Sequence, residues 1–302
     1  MFGLKQVILV LAVVAILISC SGNAKPETQN IPHEVGVAYM NLETGEILGY
    51  NAQTMFHAAS TMKTPVMFQL FKMRDQGQID LNTKILVKNQ FTSIVDGSLF
   101  SLPISSEKDE IIYPHLNRYL SYSDLIEKMI THSSNLATNI LIEHTGADSI
   151  GETMDQIQAN GVLVMRGVED LKAYRIGLNN MTSAYGMMKV MEAVYHSDLV
   201  SDSSRQEMQT ILSKQHYNGM IPAGLPEGML IAHKTGSITR IAHDAALVLP
   251  DQTPPFVLVI LTRGWDDHTQ AQEVGARIAE KLYAYHQGIL ERTDIVVPDL
   301  LK

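Results

Sequence analysis

Residues 60–71 read STMKTPVMFQLF, a short polar start followed by an apolar run. This pattern predicts a buried helix that begins close to Ser60. Residues three apart lie on one face of a helix, so the Ser60 hydroxyl and the Lys63 amine are expected to approach each other. A lysine desolvated by apolar walls can accept a proton from a serine. Alone, however, Ser-x-x-Lys is more often an N-cap serine with a solvated lysine.

A second short motif, Ser133-Ser134-Asn135, follows in the middle of the chain. Helix capping by serine or asparagine is a common reason for such a sequence. In a serine hydrolase the same residues would have separate tasks. Ser133 would pass a proton to a leaving nitrogen, and Asn135 would bond a substrate amide.

The third motif, Lys234-Thr235-Gly236-Ser237, ends an apolar run and is expected at the end of a strand. Lys234 and Thr235 would present a cation and a hydroxyl to a substrate carboxylate, and Gly236 would let the substrate backbone approach. The N–H groups of Ser60 and Ser237 would be the two donors to a developing oxyanion. Arg240 would join Lys234 in binding the carboxylate, or it is an exposed turn residue.

Short apolar runs bounded by turn residues predict strands near both ends of the chain. A hairpin over 34–50 turns at Glu43-Thr44-Gly45-Glu46, and short strands are expected at 231–234, 245–249 and 256–261. Helical patterns fill the middle, an amphipathic helix closes at 269–286, and 90–114 reads as a long loop. The predicted fold is therefore α/β of the α+β type. It has one antiparallel sheet built from both termini, flanking helices, and an all-helical lobe inserted over about 60–225.

The three motifs together resemble the class A β-lactamase-related family of penicillin-recognising serine hydrolases, over residues 33–289. Phe56 before the first motif and Thr61 within it agree with that family. The resemblance implies a β-lactamase/transpeptidase-like fold and acyl transfer through Ser60. Lys63, Ser133 and Glu169 are the expected catalytic partners, and a β-lactam or a D-Ala-D-Ala-like amide is the expected substrate. No metal or organic cofactor is required, and a monomer is expected.

Two departures from the family pattern bear on function. Ser134 stands where the family has an aspartate that supports the loop. In the segment that holds the deacylating water, the family has an arginine, a glutamate two residues on and an asparagine six residues on. After Arg166 those places hold Val168 and Lys172. Glu169 lies one residue after the place of the family's glutamate. It would activate the deacylating water if the segment is shifted by one residue, and otherwise it is a surface carboxylate.

The departures leave three functions open. The first is a β-lactamase, the second a D,D-peptidase or other cell-wall amidohydrolase, and the third a penicillin-binding sensor that stays acylated. Histidine spacings typical of metallo-hydrolases, His-x-His-x-Asp or His-Glu-x-x-His, do not occur. His57, His132 and His233 each adjoin a motif and either line the cleft or pack locally.

The N-terminal residues predict an exported protein. Lys5 and an apolar run over 7–18 suit a signal peptide, and Leu17-Ile18-Ser19-Cys20 resembles a bacterial lipobox. We expect a signal peptide at 1–20, a lipid on Cys20 that anchors the chain to a bacterial membrane, a tether at 21–32, the hydrolase domain at 33–289 and a tail at 290–302. A formal net charge of −9 without basic runs argues against a nucleic-acid partner.

Overall fold

The computed structural model describes residues 32–106 and 111–300. Its strands are β1 (Glu34–Asn41), β2 (Ile47–Tyr50), β3 (Phe56–His57), β4 (Lys84–Leu86), β5 (Phe91–Thr92), β6 (Leu99–Phe100), β7 (Tyr119–Ser121), β8 (Met181–Thr182), β9 (Leu230–Ile238), β10 (Ile241–Leu249) and β11 (Phe256–Arg263). Its α-helices are α1 (Lys63–Asp75), α2 (Tyr122–Thr131), α3 (Asn135–Thr145), α4 (Ala147–Gln156), α5 (Leu171–Arg175), α6 (Ala184–His196), α7 (Asp202–Ser213), α8 (His268–His286) and α9 (Val297–Leu300).

The main sheet joins the two ends of the described chain. Its five strands lie in the order β2-β1-β11-β10-β9, and every neighbouring pair is antiparallel. The predicted α+β fold, with strands from both termini around a helical middle, is confirmed. The boundaries of the predicted lobe and tail stay predictions. The predicted signal peptide and Cys20, with nearly all of the tether, lie outside the described residues.

Successive side chains of a strand point to opposite faces of the sheet, and because nearly all residues of β1, β10 and β11 are buried, the sheet buries both faces. In β11, Phe256, Leu258 and Ile260 pack in one apolar cluster with α8, while the residues between them pack in a second cluster with the helical residues of the middle of the chain. The predicted stripe of α8 is buried through Val274 and Ile278. The sheet therefore lies between the two apolar clusters, and its edge strand β9 faces the helices of the middle of the chain.

Three local predictions need correction. The strand predicted at 231–234 is longer, because β9 pairs with β10 along its whole length and turns only at Thr239–Arg240, and the Lys234–Ser237 motif lies in the last half of this strand. Residues 90–114 are not all loop, since β5 and β6 form a hairpin whose turn contains Gly97 at φ 72°. Ser60 lies in a 3-10 turn, Ala59–Met62, and the α-helix begins only at Lys63.

In the two described ranges, no helix combines the length and the apolar character that a membrane crossing needs.

Candidate active site

The nucleophile predicted from the sequence sits in a tight turn between β3 and α1. Ala59, just before Ser60, has φ 46°, a left-handed conformation that alanine rarely adopts. The N–H and the hydroxyl of Thr61 both donate to the carbonyl of Ala58, at 3.1 and 2.6 Å. Ser60 is half-buried within this braced turn and lines a cavity of about 240 Å³.

The amine of Lys63 is fully buried and points to the second motif. Its Nζ donates to the carbonyl of Ser133 at 2.6 Å, to the Ser133 hydroxyl at 3.1 Å and to Oδ1 of Asn135 at 2.9 Å. These bonds hold the start of α1 against the connection between α2 and α3. A buried ammonium without such partners would be strongly destabilising, so the geometry of Lys63 depends on the second motif.

Ser133 lies between two lysines. Its backbone is left-handed, with φ 59°, and its hydroxyl accepts from Nζ of both Lys63 and Lys234, each at 3.1 Å. A serine oxygen has two lone pairs and one hydrogen. When both lone pairs are engaged by the lysines, the hydroxyl hydrogen is left to point at a third group. That arrangement suits a proton donor in the cavity.

Strand β9 brings the third motif against the nucleophile turn. Lys234 is fully buried, and its Nζ also donates to the carbonyl of Thr235 at 2.9 Å. A Cβ atom on Gly236 would lie 2.9 Å from the backbone nitrogen of Ser60 and 3.0 Å from that of Thr61. Only a glycine therefore allows this approach without movement. Ser237, the next residue, lines the same cavity as Ser60.

The structure thus brings four predicted site residues to one cavity: Ser60, Asn135, Glu169 and Ser237. Arg240 behaves differently. Its guanidinium donates to the carbonyl of Gly264 at 2.8 Å and pairs with Asp266 at 2.9 Å. A substrate carboxylate would have to compete with Asp266, so the predicted role of Arg240 stays a prediction.

The segment 166–172, in which Val168 and Lys172 depart from the family pattern, is held from α3 by Asn139. The Asn139 amide donates to the carbonyl of Val168 at 2.9 Å and accepts its N–H at 2.7 Å. A Cβ atom on Gly167 would lie 2.7 Å from Oδ1 of Asn139, so glycine is needed for this approach. Glu169 follows directly, with φ 62°. A glutamate in this conformation is strained, and strained residues concentrate at functional sites.

Asp170 fixes the other side of that segment. Its carboxylate accepts the Ser93 hydroxyl at 2.9 Å and the N–H of Ile94 at 3.0 Å, and it caps α5 through the N–H of Ala173 at 3.1 Å. The β5–β6 hairpin therefore supports the Glu169 segment directly. Lys172, in the place of the family's asparagine, pairs with Asp96 of that hairpin at 2.7 Å and is half-exposed.

Arg166 holds the two ends of the segment together. It donates to the carbonyl of Leu178 at 2.8 Å and to Oδ1 of Asn179 at 2.9 Å. Burial lowers its pKa, while the charges of Asp170 and Glu169 act in the opposite direction. Asn139 and Asp170 were not predicted from the sequence. The one available signal for Asn139 was a polar residue one helical turn after Asn135 on an apolar helix.

The histidines beside the motifs have different surroundings. His233 is buried and bonds Asp244 at 2.9 Å and Asn218 at 3.0 Å. His132 packs against the ring of His216, with the centroids 4.3 Å apart. His57 lines the cavity with Ser60. Over residues 32–106 and 111–300, no group of three or more histidine, cysteine or acidic residues is arranged to hold a metal ion.

Comparison with known proteins agrees with this geometry. The chain is 23% identical over 267 residues to the extended-spectrum β-lactamase PER-1 of Pseudomonas aeruginosa, covering 83% of this chain and 82% of that protein. It is 22% identical over 261 residues to a β-lactamase of Bacteroides uniformis, covering 82% and 85%.

Two solved structures show the same fold. The structure of PBP-A superimposes with a TM-score of 0.71 at 24% identity, covering 87% of this chain and 92% of that one. A β-lactamase from Sphaerobacter thermophilus gives 0.70 at 21% identity, covering 86% and 93%. The model of the beta-lactamase enzyme family matches residues 25–286, most of the chain. With the three motifs gathered at one cavity, the chain belongs to the beta-lactamase enzyme family.

Proposed function

We propose that this protein hydrolyses β-lactams through an acyl-enzyme on Ser60. The observation that carries the proposal is the Ser133 hydroxyl, held by the two buried lysines Lys63 and Lys234. Lys63 also bonds Asn135, which lines the Ser60 cavity. Membership of the β-lactamase family supports the same chemistry. Further support comes from a mutant of PBP-A, similar in fold, that was solved as an acyl-enzyme complex with penicillin G.

Acylation follows from this arrangement. Lys63, acting in its neutral amine form, takes the hydroxyl proton of Ser60, whose oxygen forms a bond to the lactam carbonyl carbon. The N–H groups of Ser60 and Ser237 stabilise the negative oxygen of the tetrahedral intermediate. When the ring C–N bond breaks, Ser133 gives its proton to the nitrogen and recovers one from Lys63, 3.1 Å away. Lys234 and Thr235 bind the substrate carboxylate, and Asn135 bonds the side-chain amide.

Deacylation requires a water molecule aimed at the ester. We assign its activation to Glu169, because Glu169 lines the cavity that Ser60 lines and its backbone is held by the Asn139 clamp on Val168. The carboxylate would take a proton from the water, whose oxygen attacks the ester carbonyl. Cleavage of the ester returns the proton to Ser60 and releases the opened acid.

Glu169→Gln should therefore accumulate acyl-enzyme. The amide has nearly the shape of the carboxylate but cannot accept the proton, and loss of a general base lowers a rate by about 10²–10⁴-fold. Mass spectrometry after mixing with penicillin should show the adduct persisting while the acylation rate stays unchanged. Asp155→Asn, a carboxylate-to-amide change outside the cavity lining, is the control. Turnover equal to the native rate in Glu169→Gln would remove Glu169 from the mechanism.

The function itself is tested with a chain that starts after Cys20, mixed with an excess of a chromogenic cephalosporin. Sustained hydrolysis over many equivalents is expected, and Ser60→Ala should abolish it. A burst of about one equivalent that then stops would mean acylation without release. Covalent labelling that survives in Ser60→Ala would contradict the mechanism as a whole.

A second candidate is a D,D-peptidase or related cell-wall amidohydrolase, and a third is a sensor that remains acylated. Both are favoured by Val168 and Lys172, which replace the glutamate and the asparagine of the family pattern. The two candidates differ in substrate turnover. Release of D-alanine from a peptide ending in D-Ala-D-Ala would favour the peptidase. A burst without either turnover would favour the sensor.

We also propose that the chain is exported and held on a bacterial membrane by a lipid on Cys20, as a monomer. The support is the apolar segment that ends at Leu17-Ile18-Ser19-Cys20 and the absence of any other cysteine in the chain. The intact mass of protein extracted from membranes distinguishes a diacylated Cys20 from an uncleaved leader. The uncleaved mass would contradict the anchor.

A further inference from the structure

His57 lies three residues before the nucleophile and bonds the turn that carries it. The N–H of Ala59 donates to Nδ1 of His57 at 3.0 Å. A backbone nitrogen can only donate, so Nδ1 is unprotonated and the ring hydrogen is on Nε2. The bond spans two residues, as in an Asx turn, where a side-chain acceptor fixes the backbone two positions ahead. It therefore holds the left-handed Ala59, whose φ is 46°.

A second histidine anchors His57 to the sheet. The N–H of Thr262, on β11, donates to Nδ1 of His243 at 3.0 Å, although the carbonyl of Ala242 also lies 2.9 Å from that atom. This leaves Nε2 of His243 to donate to the carbonyl of His57 at 3.0 Å. His243 pairs with Gly236 across the β9–β10 ladder. The two imidazoles thus connect β10 and β11 to the turn that carries Ser60, and β10 in turn pairs with β9, the strand that carries Ser237.

The two rings are neutral at neutral pH, as these bonds require. Burial, aided by the nearby charge of Arg166, lowers the pKa of His57 to about 4. Burial likewise lowers the pKa of His243 to about 4. The groups facing His57 include the ring of Tyr174, with centroids 6.1 Å apart.

The other nitrogen of His57 shows that packing alone does not explain the ring. Its Nε2 is buried and has no hydrogen-bond partner among the described residues. A buried N–H that is left unpaired is destabilising, because the loss of its bond to water is not compensated. Leucine at this position would fill similar space without that cost. What leucine cannot do is accept the N–H of Ala59.

We propose that His57 is a positioning residue for the nucleophile, which fixes the Ala59 turn so that the N–H of Ser60 faces the reaction centre together with the N–H of Ser237. The inference rests on the proposed acyl-enzyme chemistry. His57 takes no proton in the reaction. Its effect is on the orientation of Ser60, which matters because small misplacements of a reacting group lower rates strongly.

The test compares His57→Leu with His57→Asn in stopped-flow acylation by a fluorescent penicillin. Leucine removes the acceptor, so the acylation rate constant should fall by about 10–100-fold, the size of a misplaced oxyanion donor or nucleophile. The noncovalent dissociation constant should change by less than about threefold, because the bond is not to substrate. Asparagine can form the same bond as an Asx turn and should restore the rate to within about threefold of native. His196→Leu, whose ring is 52% exposed on α6, is the matched control.

The outcomes separate the inference from the function it rests on. Equal slowing in the leucine and asparagine variants, or native acylation in the leucine variant, would overturn the positioning role. If His57→Leu fails to fold, His57→Ala takes its place, and a slow asparagine variant still overturns the inference. Native protein that is not labelled at all would contradict the proposed function instead.

Discussion

Lys63→Met is expected to slow acylation by a β-lactam by about 10³-fold or more. Removal of a general base costs about 10²–10⁴-fold, and Lys63 also bonds Ser133 and Asn135. Methionine is unbranched and apolar, so it fills the buried space without replacing the amine. The loss should therefore appear in the acylation rate constant, measured by stopped-flow with a fluorescent penicillin.

Lys72→Met is the matched control for that prediction. Lys72 is also buried and lies on α1, but near the end of the helix that is remote from Ser60. Its Nζ donates to Thr153 and Gln156. Burial lowers the pKa of Lys72, and a lost buried bond should lower the melting temperature. Acylation by Lys72→Met should nevertheless match the native rate. Rapid acylation by Lys63→Met, at more than a tenth of the native rate, would exclude Lys63 as the base.

Much of the fold could be predicted from the sequence because the sheet strands carry a local signal. The apolar run of β11 and the turn at Gly45 are both local signals in the chain, and the structure confirms the strand and the hairpin. Ser121 and Asp124 form a capping box at the start of α2, which is also a signal carried by neighbouring residues. The order of the three motifs then indicated which helices and strands meet at the site, because Ser60, Ser133 and Lys234 each lie in or next to one of them.

What could not be predicted either lacks an alternating pattern in the sequence or depends on residues that are distant in the chain. The polar sequence of Lys234–Ser237 does not alternate, so its place inside β9 is set by the whole ladder with β10. Asp96-Gly97 is a recognised hairpin signal, yet the two short strands around it bury little and have no alternation. The clamp of Asn139 on Val168, 29 residues away, has no local signature at all.

The same reasoning explains why the role of Glu169 could not be decided by pattern. In a regular strand, a residue displaced by one position from the family position would point its side chain to the other face and could not take the same role. The Glu169 segment is not regular. Asn139 holds the backbone of Val168, and Glu169 takes a left-handed conformation that changes the direction of its side chain. Its contact with the cavity is a property of that local turn.

Gly236→Ala is expected to lower the acylation rate by about 100-fold. The added methyl group would lie 2.9 Å from the nitrogen of Ser60 and 3.0 Å from that of Thr61, both backbone atoms that cannot move aside alone. Either β9 or the nucleophile turn must shift, and the N–H groups of Ser60 and Ser237 then no longer converge on one oxygen. Loss of one such donor typically costs about 10²–10³-fold. The measurement is the acylation rate constant together with the noncovalent dissociation constant.

Gly151→Ala makes the same chemical change where space is available. Gly151 is in α4, and a Cβ atom there meets nothing within 4 Å. Alanine is a better helix former than glycine by about 1 kcal/mol, so this variant should melt at a higher temperature and acylate at the native rate. If Gly236→Ala also acylated at the native rate, the strand would be able to retreat without cost. The two N–H groups would then not be held by the close packing of β9 on the nucleophile turn, and the oxyanion site would have to be built from other donors.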